Sequence, residues 1–251
     1  MTEEKAGFRF SRNGLKHLAM LTMVLNHVAS GFLAPGTLHE VFRVIGYFTA
    51  PVMCWLMAAG FRHTASRKNY GGRLFVFACL SQLPYMLYFG PDAGISMMGT
   101  LFLCFLILCA RHSRMGVPLK VLLQALLVCA TVVCDWSVMA PAGVIVFDAA
   151  MDQSDPDRRH TYEMLGFGMM GAMMVVFSVA GAGAVMTLPE LGWAHAGALG
   201  PVTAGIACLG FYDSARRVRP GARYKLSQYY FYAFYPAHLL VLSMIRLLVR
   251  A

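Results

Sequence analysis

Apolar runs alternate with short polar punctuation along almost the whole chain. They fall at about 15–34, 41–61, 73–89, 95–110, 117–134, 138–150, 164–187, 195–212 and 228–249. A helix needs about 20 residues to cross about 30 Å of hydrocarbon, so most of these runs predict bilayer-crossing helices. The run around AGVIVFDAA is short for that purpose, which leaves eight crossings as the alternative to nine. The predicted fold class is all-α, a polytopic integral membrane protein of about nine transmembrane helices, organised as one multi-span domain over 1–251.

Composition strengthens this picture. The chain is 58% hydrophobic and 13% charged, with mean hydropathy +0.59, whereas soluble domains carry about 25% charged residues. The net charge of +9 reads as topology. Of the 21 Lys and Arg, 18 fall in alternate loops, at 1–16, 62–73, 111–120, 151–160 and 213–225, and the loops between hold none. Basic loops stay in the cytoplasm, which predicts a cytoplasmic N-terminus, an external C-terminus and a lipid bilayer as the surroundings. The basic start and Ala29-Ser30-Gly31 resemble a signal peptide, but the polar pair Asn26-His27 inside the run favours an uncleaved first span. No basic groove with interleaved aromatics is present, so nucleic acid is not expected as a partner. The seven cysteines form no CxxC pair. They read as packing residues, and no metal site is expected.

Polar side chains inside the spans then become the candidates, because lipid tolerates them poorly. His27 lies eleven residues past Lys16, about 16 Å along the helix, and His238 ten past Gln228, about 15 Å along. Both spans run the same way, so the two imidazoles can meet near one depth. Arg43 sits near the outer start of the second span, where snorkelling and an anion contact are both open. Ser81, Gln82, Pro84 and Tyr85 share the outer half of the third span, Asp135 lies in the CDWS turn, and Tyr235 accompanies His238. Asp148 and Asp213 read as interfacial. No HExxH, GxSxG or Walker loop appears, which argues against zinc proteolysis, a nucleophile-elbow hydrolase and nucleotide hydrolysis.

The stretches LKHLAMLTMVLNHVASGFL, RVIGYFTAPVMCWLMAAGFRHT, RLFVFACLSQLPY, DWSVMAPAG and FYAFYPAHLLVL resemble the TraX family of membrane acetylases, over nearly the whole chain. The resemblance implies a multi-span acyltransferase of the bacterial inner membrane. It would move an acetyl group from acetyl-CoA to a pilin N-terminus or another envelope acceptor. The chain departs from the family pattern at Asn26, where the family has an acidic residue before the histidine, and in the second span, which lacks the family's arginine and glutamate. Under this reading His27 is the catalytic base, with His238 or Asp135 as its partner. Asn26, Arg43, Gln82, Tyr85 and Tyr235 are the substrate-contact candidates. Two other classes fit the same residues: a proton-coupled transporter or export component using the histidine pair as a relay, and an inactive scaffold of pilus assembly.

Overall fold

The structure, a computed structural model, describes residues 9–181, 186–212 and 222–250. Asp213 and most of the predicted basic loop at 213–225 lie outside these residues, as does the N-terminal stretch with Lys5.

The described chain is all helical. It runs α1 (Arg12–Phe32), α2 (Thr37–Gly46), α3 (Thr49–His63), α4 (Arg67–Phe89), α5 (Met97–Arg111) and α6 (Val117–Ala130) with a 3₁₀ turn at Thr131–Val133. It continues through α7 (Met139–Met151), α8 (Pro156–Gly181), α9 (Leu188–Ala196), α10 (Leu199–Gly205) with a π turn at Ile206–Gly210, and α11 (Ala222–Arg250). The starts are set by local chemistry. Ser11 and Ser66 accept the backbone N–H groups of Gly14 and Asn69, capping α1 and α4, and Thr187 with Glu190 forms a reciprocal capping box on α9.

Two of the predicted spans are broken rods. The second is interrupted at Tyr47–Phe48 and restarts with Pro51 in the first turn of α3. Pro51 has no N–H to give the Tyr47 carbonyl, so the chain stops and restarts there rather than kinking at the proline. The eighth is interrupted at Gly197–Ala198 between α9 and α10. The two breaks meet, because Gly200 lies against the Tyr47 main chain, where a Cβ would stand 2.6 Å from the carbonyl carbon.

Among the described residues, three helical rods, Thr37–His63, Pro156–Gly181 and Tyr229–Val249, are long and apolar enough to cross a membrane. α5 and α7 are shorter, at 15 and 13 residues, about 22 and 20 Å. Both are richly buried, so neighbouring helices rather than the surroundings cover them. α6 is the opposite: none of its residues is buried, and Val117, Leu122 and Leu126 point outward.

One end of the bundle is closed by charge. Asp148 on α7 has 0% exposure. Its Oδ1 accepts from Arg62 Nε at 2.7 Å and its Oδ2 from Arg111 Nε at 2.8 Å and from His112 Nε2 at 2.9 Å. Arg62 also reaches Asp152 at 2.6 Å. Asp148, expected at an interface, lies at this end of the bundle with its side chain buried where α3, α5 and α7 converge. A carboxylate survives such burial only with partners of this kind.

Candidate functional site

His27 and His238 do meet. Fifth-turn residues of α1 and mid-helix residues of α11 face each other, and His27 Nδ1 stands 2.7 Å from His238 Nε2, with nearly parallel rings. Both are more than nine-tenths buried. The far nitrogen of His238, Nδ1, lies 2.9 Å from the Phe234 carbonyl. A carbonyl can only accept, so that nitrogen carries the proton and His238 Nε2 presents a lone pair. His27 must then donate through Nδ1, which leaves its Nε2 without a proton. Among the described residues Nε2 has no hydrogen-bond partner. The carbonyl of one helix thus fixes the tautomer of a histidine on another, through a second ring.

Main-chain contacts hold His27 from behind. The Tyr88 hydroxyl donates to the His27 carbonyl, and Arg246 Nη1 donates to the Tyr88 carbonyl at 2.9 Å. Gly31 is required beside them, since a Cβ there would collide with the Tyr88 hydroxyl.

His27 lines a cavity of about 170 Å³ together with Asn26, Tyr85, Asp135, Trp136 and Tyr235, while Met23, Thr49, Phe89 and Met97 complete much of the wall. Asn26 is also a strut: its amide donates to the Arg43 carbonyl at 3.2 Å, and Gly46 leaves room for it. A carboxylate at this position would have no hydrogen to donate, which gives the sequence departure at Asn26 a packing reason. Tyr85 donates weakly to the Ala93 carbonyl, at 3.4 Å. The Tyr235 hydroxyl oxygen faces the Met97 N–H, and its own hydrogen finds no acceptor among the described residues.

Asp135 is fixed by its main chain. Its N–H donates to Ile95 O at 2.8 Å, and its carbonyl accepts from the Thr100 hydroxyl at 2.6 Å. The Ile95 loop is in turn pinned by Gln82, which donates to Gly94 O at 2.7 Å and accepts from Ser96 N–H at 3.0 Å. Burial pushes the Asp135 carboxyl up to about 6, against the opposing effect of the Trp136 N–H it accepts. Among the described residues no cationic side chain pairs with it. Trp136 itself adopts φ 57°, the left-handed region, and meets Tyr47 edge-on at 6.1 Å.

The structure therefore gathers His27, Asn26, Tyr85, Asp135 and Tyr235 on one cavity wall, with His238 directly behind His27. It leaves Arg43 and Gln82 off that wall. Arg43 is engaged by Glu40 at 2.9 Å and by the Tyr47 hydroxyl at 2.6 Å, and Gln82 acts on the Asp135 loop. Sequence reasoning missed Tyr88, Trp136 and Tyr47. Only the glycines at 31 and 46 marked the crowding around them.

A second cavity, about 160 Å³, is lined by Arg12, Lys16, His63, Tyr70, Arg73 and Tyr232 among others. Along α1 it takes residues 12 to 16, and the His27 cavity takes 23 to 27. The two are stacked along the bundle axis, with Met53 and Met98 in one and Met23 and Met97 in the other.

Comparison with known proteins adds the following. The family described as TraX protein matches residues 11–246. A "Probable fimbrial assembly protein FimC, serogroup H1" from Dichelobacter nodosus is 30% identical over 256 residues, covering 93% of this chain and 94% of that protein. No solved structure matches.

Proposed function

The chain belongs to the TraX protein family, and on that premise we propose that it is an acetyltransferase embedded in the bacterial inner membrane. It moves an acetyl group from acetyl-CoA, a substrate, to an acceptor of the cell envelope. The naming of its relative as a fimbrial assembly protein supports pilin or fimbrial subunits as that acceptor. The apolar exterior, the three long apolar rods and the basic loops support residence in the membrane. In this reading the basic end faces the cytoplasm, as does the N-terminus, and about nine rods cross the bilayer.

One observation carries the chemistry. The Phe234–His238–His27 hydrogen-bond chain leaves His27 Nε2 bare in a cavity whose wall also holds Asn26, Asp135 and Tyr235. Acyl transfer from a thioester needs a base for the nucleophile and a donor for the carbonyl oxygen as charge develops on it. His27 Nε2 takes the proton from the acceptor's N–H or O–H as that atom's lone pair forms a bond to the acetyl carbon. The C–S bond then breaks, and the proton passes from Nε2 to the departing thiolate. His238 orients His27 as a carboxylate does in other triads, and its Nε2 can share the positive charge. The Tyr235 hydroxyl supplies a donor for the oxyanion. Arg12, Lys16 and Arg73 suit the phosphates of the donor.

Purified protein in nanodiscs, given labelled acetyl-CoA and candidate pilin subunits, is expected to add one acetyl group per acceptor by intact mass. His27→Ala is expected to lose transfer by about a thousandfold or more, with normal protein level and folding. Wild-type-like transfer by His27→Ala would falsify the assignment.

A further inference from the structure

The His27 cavity contains a carboxylate that the acetyl-transfer mechanism does not use. His238, not Asp135, is the partner of His27. The Asp135 side chain is not needed to hold its own loop either, since Ile95 and Thr100 bind the main chain. Its one neighbouring donor is the Trp136 N–H, and Tyr85 and Tyr235 flank it. No described cation neutralises it. Holding a half-buried carboxylate on a cavity wall without a counter-charge is costly, so such a group is a place where a ligand's positive charge is expected.

A second, independent feature also marks the cavity as waiting for a ligand. The Tyr235 side chain is 5% exposed, and its hydroxyl hydrogen is without an acceptor while lining the same cavity. An acceptor lone pair on His27, a donor on Tyr235 and a negative charge on Asp135 thus surround about 170 Å³. That space is below the roughly 300 Å³ at which pockets for drug-sized ligands begin. It admits the end of a chain rather than a folded surface.

We propose that Asp135 is the specificity-determining residue for the acceptor, binding its protonated amine and so selecting a chain-terminal ammonium over a hydroxyl. This rests on the reading of the His27 cavity as the acceptor site. Asp135 pairs with the incoming R–NH₃⁺, which surrenders one proton to His27 Nε2 to become nucleophilic. After attack the C–S bond breaks and the thiolate takes that proton. The second nitrogen-bound proton leaves to solvent as the amide forms, so that R–NH₃⁺ and the thioester yield amide, free thiol and one H⁺. A hydroxyl acceptor would enter the same space and leave the carboxylate uncompensated. Gln82 is a positioning residue in this scheme, because it pins the loop that pairs with Asp135.

The test uses full-length protein in nanodiscs and two probes: a short apolar peptide with a free α-amine, and the same peptide with an α-hydroxyl in its place. Affinity is read by calorimetry and transfer by mass, with and without acetyl-CoA. The wild type is expected to bind the amine peptide about tenfold to a hundredfold more tightly than the hydroxyl peptide. Asp135→Asn is expected to bring the two to parity by weakening the amine peptide alone, with retained hydroxyl binding showing that the variant is folded. Equal affinities in the wild type, an unchanged preference in Asp135→Asn, or equal loss of both peptides would overturn the proposal. Asp135-dependent amine binding without acetylation supports the amine site and sinks the acetyltransferase reading instead.

Discussion

Two carboxylates in this bundle, Asp148 and Asp135, live under opposite rules. Asp148 is sealed at the basic end with two guanidiniums and an imidazole on its oxygens. Asp135 lines a cavity beside two tyrosines and a histidine, and no described cation answers it. The first is a finished structure in which each charge is the other's reason for being buried. The second is an unfinished one, held by its main chain rather than by its side chain. The difference separates the groups that hold this fold from those that wait for something else.

The comparison breaks most visibly at the finished end. Asp148→Ala leaves Arg62 and Arg111 facing each other without their shared anion, and it is expected to cost about 3–5 kcal/mol. A thermal melt in detergent should fall accordingly, while folded protein keeps its transfer rate. A melt within a degree or two of wild type would show that the cluster is solvated and the contrast false.

At the open site the expected losses are in rate. His238→Ala removes the acceptor for His27 Nδ1–H and with it the fixed tautomer, so transfer should fall about a hundredfold or more. The limb of the pH–rate profile set by the base should move as well. An unchanged profile and rate would reduce His238 to packing.

The smallest effect is in pH. The Asp135 carboxyl is raised from 3.8 to about 6, so folding favours its protonated form. Its contribution to stability is complete below the unfolded value and is lost as pH rises through about 6. The groups facing it are His27, Tyr85, Tyr235 and Cys134. Stability should therefore fall between about pH 4 and 6, and Asp135→Asn should flatten that slope. In the same window, acceptor KM should rise as acid neutralises the carboxylate. A stability curve indifferent to the Asn substitution would remove Asp135 from the account.

Much of this was legible because lipid-compatible runs leave few places to hide a polar group. The nine apolar runs correspond to nine helical rods among the described residues, and the two histidines stood out by depth alone. The five sequence stretches that carry the family resemblance also meet in space. His27 and Asn26 come from the first, Gly46 and Thr49 from the second, Tyr85 from the third, Asp135 from the fourth and Tyr235 from the last. What stayed hidden depends on partners far off in sequence. The position of Asp148 at a helix end marks it as interfacial, but nothing local announces its burial against Arg62, 86 residues away. Gln82 looked like a substrate contact because residue type does not reveal direction. Its amide turns toward the Gly94 loop, and its effect on the cavity is indirect. The break at Tyr47 was visible only as a proline four residues later.

The φ of 57° at Trp136 has a consequence for how this protein can vary. A bulky residue in that region is held at a cost of about 1–2 kcal/mol, which a glycine would not incur. A glycine there would release that strain but would also remove the ring's packing and open the wall opposite Tyr47. The turn therefore trades backbone ease for a ring in the cavity wall. Variants of this chain chosen for heat tolerance should be screened at this position first, since a gain there would come at the expense of the cavity.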